Sequence, residues 1–150
     1  VFVALARSAG IPARDVYGIR IADSTRGYKS LGKSGDITKA QHCRAEFYAT
    51  GYGWMPVDPA DVRKVILEET GGLAVNDPKV LAIRDYLFGN WEMNWMAYNY
   101  GHDIALPGSK LGSKGDIPFL MYPQAENTEG RFDSLDPDNF KYKIASRQIS

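Results

Sequence analysis

Apolar residues recur along this chain with changing rhythm, and each change marks an element. The opening run Val1-Phe2-Val3-Ala4-Leu5-Ala6 has no Ser, Thr, Asp or Asn ahead of it to accept from the first amides of a helix. Its far end is well marked: Arg7 falls in the last turn, Gly10 can take the left-handed closing position, and Pro12 bars extension. This pattern predicts a helix tail over residues 1–9, with its start upstream, and residues are expected to precede Val1. Residues 14–22 then mix β-branched and aromatic side chains and predict a strand, while the polar, glycine-rich stretch 23–38 predicts a long loop.

Strand character resumes over residues 41–48, a turn follows at Thr50-Gly51-Tyr52-Gly53, and residues 54–57 return as a hairpin partner. Asp58-Pro59 opens a helix, since the Asp caps, the Pro fits the first helical position, and Asp61 suits the positive end of the dipole. Asp77-Pro78 repeats that opening for a second helix over residues 79–88, closed by Gly89. Strands are predicted at 91–106, 119–122 and 140–144, separated by turn-rich stretches at 108–116 and 124–139. The order describes an α+β fold with an antiparallel sheet, read as a single domain over residues 1–150 with a strand-rich extension from about residue 89.

Composition narrows the function. Eighteen basic residues balance eighteen acidic ones, and their scatter gives no groove for nucleic acid. The longest apolar run falls far short of the roughly 20 residues of a membrane helix, so membrane insertion is not expected. One cysteine excludes an internal disulfide, and two histidines at this spacing make no zinc cluster. No metal and no cofactor are expected.

Acyl chemistry at a cysteine needs a thiolate, an imidazole that takes and returns a proton, and a group that orients the imidazole. His42 lies near the start of one strand of the hairpin and Asp58 at the end of the other, so antiparallel pairing brings them near each other. The same two residues also fit plainer roles, a structural histidine and a helix cap. Cys43 is adjacent to His42, but neighbouring strand residues face opposite sides. His42 shares its side with Arg44, Glu46 and Tyr48, whereas Cys43 shares its side with Ala45, Phe47 and Ala49, a small apolar set that reads as core. His102 reads as exposed surface. Trp91 and Trp95 share one strand face and Tyr98 and Tyr100 the other, which predicts packing on both sides of the sheet, with an aromatic groove as the alternative.

Three segments in order resemble a known family. Leu5-Ala6-Arg7-Ser8-Ala9-Gly10-Ile11-Pro12-Ala13-Arg14, His42-Cys43-Arg44-Ala45-Glu46-Phe47-Tyr48 and Gly51-Tyr52-Gly53-Trp54-Met55-Pro56-Val57-Asp58-Pro59 are similar to the cysteine-helix, histidine and aspartate segments of transglutaminase-like proteins. The resemblance implies a papain-type fold, with the antiparallel sheet packed on the remnant of the catalytic-cysteine helix and on short helices. It implies His42 as general acid/base and Asp58 as its orienter, and it puts the nucleophilic cysteine upstream of Val1. Cys43 and Arg44 stand where the family usually has alanine and tryptophan, which removes the aromatic cover expected beside the histidine. The implied function is attack on peptide or side-chain amide bonds, with the acyl group passing to water or to an amine, and this segment alone is expected to be inactive. The alternative is a non-catalytic protein- or glycan-binding module on the same scaffold. Implied partners are a protein or peptide substrate and the upstream segment. Phe88-Gly89-Asn90 and the aromatic stretch after it resemble an extension of bacterial members, many of them exported, which tilts localisation toward the periplasm or exterior.

Overall fold

The computed structural model describes residues 1–111, 116–136 and 138–149. Its centre is a four-stranded antiparallel sheet in the order β3-β2-β1-β4, built from β1 (Ala13–Arg20), β2 (Gln41–Ala49), β3 (Gly53–Val57) and β4 (Trp95–Asn99). The register sets Gly18 opposite His42, Val16 opposite Arg44, and Ala45 opposite Val57. Helix α1 (Phe2–Ser8) crosses one face, where Val3 packs with Ala13, Ala45 and Val57, and Phe47 adds to the cluster. Gly10 takes φ +79° behind it, the left-handed closure predicted from the sequence.

Helices α2 (Pro59–Glu68) and α3 (Pro78–Tyr86) begin at their Asp-Pro steps. Asp58 Oδ1 accepts from the Asp61 amide at 3.0 Å and Asp77 Oδ1 from the Lys79 amide at 2.8 Å. Val65, Val80, Ile83 and Leu87 bury their side chains together with Leu31. The polar stretch 23–38 is therefore anchored at Leu31, in a 3-10 turn over Lys29–Leu31, and again at Ile37, which packs with Ile19 and Ala40. The end of α3 returns to the hairpin: the Asp58 amide donates to Leu87 O (3.1 Å) and the Gly89 amide to Pro56 O (2.8 Å).

The C-terminal part departs from the predicted strands. Instead of one strand over 91–106 there are β4 and β5 (His102–Ile104), because Trp91–Asn94 is drawn off the sheet to bond elsewhere and Asn99 Oδ1 turns the chain by accepting from the Gly101 amide at 2.9 Å. β5 pairs with β6 (Ile117–Phe119), shorter than the predicted 119–122 and earlier in the chain. Residues 140–144 are not a strand: the stretch is joined to residues 36–38 by the isolated bridge from Asp36 to Ala145 and by the Ile144 amide, which donates to Thr38 Oγ1 at 3.0 Å. A small hairpin of β7 (Glu126–Asn127) and β8 (Gly130–Arg131) falls within the turn-rich stretch 124–139. Of the predicted turn regions, residues 112–115 and 137 lie outside the described residues.

Candidate active site

His42 is the second residue of β2, and the strand pairing delivers it to the first turn of α2. Its carbonyl accepts from the Trp95 indole at 2.9 Å. Trp95 reaches that position because residue 18, opposite His42, is glycine: a Cβ there would collide with the Trp95 ring and with the Met96 carbonyl. The His42 side chain is 11% exposed and Asp58 is fully buried. Nε2 lies 2.8 Å from Asp58 Oδ2, and since an ionised carboxylate only accepts, Nε2 carries the hydrogen. Among the described residues Nδ1 makes no hydrogen bond.

A second buried carboxylate adjoins the pair. Asp61 Oδ1 lies 3.4 Å from His42 Nε2, and Arg20 grips Asp61 with both terminal nitrogens, one of them at 3.1 Å from Oδ2. Arg20 also donates to Leu31 O at 2.5 Å. On the other side Arg44 Nε lies 3.0 Å from Asp58 Oδ2, close enough for ion pairing, yet its N–H is misaligned and forms no hydrogen bond. The Arg44 head is fixed instead by Glu92 O (2.6 Å) and lies over the Trp95 ring at 4.8 Å.

These contacts split the two acids. Burial pushes Asp58 up, but the hydrogen bond and charge of His42, the Arg44 guanidinium and the Asp61 amide outweigh it and hold its carboxyl below the ordinary value. Asp61 goes the other way, since burial and the neighbouring Asp58 charge outweigh Arg20 and His42. Donor atoms of His42, Asp58 and Asp61 come within 4.8 Å of one another, a spacing that could hold a metal ion. The donor set does not fit one: Asp61 is held by Arg20, Asp58 by His42 and the Asp61 amide, and two guanidinium groups already stand against two carboxylates. What the arrangement can do is hold an imidazole in one tautomer and steady its charged form.

Cys43 lies opposite Tyr17 and is half-buried. Burial, then the Asp15 and Asp58 charges, push its thiol above the ordinary value, so it stays protonated at neutral pH. Its neighbours on that side, Ala45 and Phe47, pack under α1, as the alternation predicted.

The structure also brings in residues that sequence reasoning passed over. Asp61, which the sequence marks only as a helix-start charge, and Arg20, Glu92 and Asn94, which it does not single out, are all buried. A signal existed: after Arg14 and Asp15, β1 continues with the run Val16, Tyr17, Gly18 and Ile19, and Arg20 extends that buried run with a charge that needs a partner. The aromatic cover missing at Arg44 is supplied from a distance by Trp95, with Trp91 edge-on to it at 5.3 Å and bonded to Val57 O at 3.1 Å. Packing on both sides of this stretch is corrected, since Trp95 is buried whereas Tyr98 and Tyr100 are 42% and 48% exposed. Tyr100 instead covers the Arg14 guanidinium at 3.9 Å. His102 is exposed at the surface, 3.2 Å from the Tyr17 hydroxyl and well away from the His42 cluster in its contacts.

Two clefts flank the cluster. One, of about 650 Å³, runs between α1 and the start of α2, lined by Val1, Phe2, Leu5, Cys43, Asp58 and Ala60. The other, of about 320 Å³, contains His42 itself and shares Ala60 with the first.

Residues 1–59 match the family model described as the transglutaminase-like superfamily, a span that ends one residue after Asp58. A Haemophilus influenzae protein described as "Uncharacterized protein" is 43% identical over 159 residues, an alignment that covers 99% of this chain and 42% of that protein. The chain thus spans about two fifths of the length of that relative. No solved structure matches.

Proposed function

We propose that this chain, whose residues 1–59 belong to the transglutaminase-like superfamily, supplies the proton-transfer half of a cysteine enzyme that acts on peptide or side-chain amide bonds. The observation that carries the reading is the 2.8 Å bond from His42 Nε2 to a fully buried Asp58, which leaves Nδ1 clear to face a thiol. We assign the nucleophile to a cysteine that precedes Val1 in the full-length protein, because the superfamily pattern puts it there and the protonated Cys43 is unsuited to the role. His42 takes the thiol proton and becomes imidazolium, steadied by Asp58. The thiolate adds to the amide carbonyl, and the tetrahedral oxyanion collapses as His42 gives its proton to the departing nitrogen. The resulting thioester is attacked by water or by an amine, whose proton returns to His42 as the thiolate leaves.

The test uses the full-length protein with a glutamine peptide and a fluorescent primary amine, following both amine incorporation and ammonia release. His42→Ala is expected to lower both by at least about 10³-fold, and Asp58→Asn by about 10⁴-fold through loss of the correct tautomer, as in a triad hydrolase. Undiminished activity in either variant would overturn the assignment and favour a scaffold used for binding alone.

A further inference from the structure

We propose that the cleft containing His42 is an anion subsite that receives a substrate carboxylate, so that the favoured substrates are acidic peptides. This rests on the reading of His42 as the proton shuttle and adds to it what the neighbouring surface selects. The cleft, about 320 Å³, is lined by Arg20, Lys33, Lys39 and Lys64 together with Gln41 and His42, and among the described residues no Asp or Glu lines it. Roughly ten water volumes fit that space, which is ample for one carboxylate-bearing side chain.

The charge is local, since basic and acidic residues balance over the whole chain. It is compensated only in part: the exposed Asp36 carboxylate, held first by Thr38, also feels the Lys143 and Lys33 charges. Arg20 is matched by Asp61. Lys64 donates to Ser30 O at 3.1 Å and makes a half-exposed pair with Glu68 at 3.7 Å, which screens little of its charge. The Lys33 and Lys39 ammonium groups make no ion pair or side-chain hydrogen bond among the described residues. Lys33 and Lys39 are exposed, so solvent and salt screen their field, but its sign at the cleft still favours an anion over a neutral ligand.

An independent observation points the same way. The side-chain nitrogen of Gln41, next to His42, is buried without an acceptor. An orphaned buried donor is costly, and a rotation of the Gln41 side chain that brings it to the cleft surface would let a carboxylate or carbonyl oxygen satisfy it. Gln41 and Lys39 also line a neighbouring cleft of about 560 Å³ walled by Tyr122, Phe140 and Tyr142, so a bound peptide has an apolar continuation away from His42.

Three small probes separate the sources of the carboxylate. Acetyl-glutamyl amide carries it on a side chain, acetyl-alanine at a chain end, and acetyl-glutaminyl amide not at all. Each is titrated into the full-length protein while the His42 imidazole resonances are followed by NMR. At least one of the two anionic probes is expected to move them saturably, with affinity falling as salt is raised, and the stronger of the two identifies the kind of carboxylate taken; the neutral probe should not. The double substitution Lys33→Gln/Lys39→Gln should weaken that probe about tenfold or more, whereas Lys79→Gln, which lines neither cleft, should leave it unchanged. Equal binding of the neutral probe, no response to either anion, or an unaltered affinity in the double variant overturns the subsite. Those results leave the His42 assignment standing, because that depends on the activity of His42→Ala.

Discussion

At Asp58 the His42 ring, the Arg44 guanidinium and the Asp61 amide converge on one fully buried carboxylate. Because its folded value is held below its unfolded value near 3.9, its contribution to stability is complete above that value and is lost as pH falls through the folded one. Arg44→Met removes one of the groups that hold it down, so the acid-side loss of stability should move to higher pH. Breaking a buried ion pair from one side should also cost about 3–5 kcal/mol at neutral pH. Urea denaturation across the acid range measures both; an unshifted acid limb would mean that Arg44 is held by Glu92 and Trp95 for other reasons.

The hairpin of β2 and β3 and the Asp-Pro start of α2 were legible from the residues, because turn glycines, strand alternation and helix caps act over a few positions. They suffice to bring His42 and Asp58 together. What the sequence concealed depends on partners far along the chain: Asp61 on Arg20 at a separation of 41 residues, and the His42 carbonyl on Trp95 at 53. The predicted strand over 91–106 failed for the same reason. Its apolar alternation is real, but Glu92 and Asn94 are committed to Arg44, Ser24, Thr25 and Leu31 and cannot sit in the sheet. The packing of β4 on β1 gives a test at this scale. Gly18→Ala should displace the Trp95 indole from the His42 carbonyl and cost about 1–3 kcal/mol through overpacking. Thermal denaturation measures the loss, and tryptophan fluorescence should report the moved ring; unchanged values for both would show that β4 does not brace the site.

Across the whole molecule, His42 sits where the sheet, the start of α2 and the stretch 35–40 meet. That stretch is tied to the C-terminal part by the Ile37 amide on Ile144 O (3.0 Å) and the Ser146 amide on Gly35 O (2.9 Å). The C-terminal part thereby braces the backbone that carries Lys39 and Gln41, which line clefts on both sides. On the opposite flank the apolar cleft of about 650 Å³ reaches from the first residues of α1 to Asp58 and Ala60. On the function proposed above, the imidazole–carboxylate pair serves a thiol other than Cys43. The most direct test is brief iodoacetamide labelling of the full-length protein near neutral pH, with the modified cysteine located by mass spectrometry. A cysteine N-terminal to Val1 is expected to label fast, slowed at least about tenfold by His42→Ala, with Cys43 modified only slowly in both. Fast labelling at Cys43, or an upstream cysteine indifferent to His42, would contradict the proposed function.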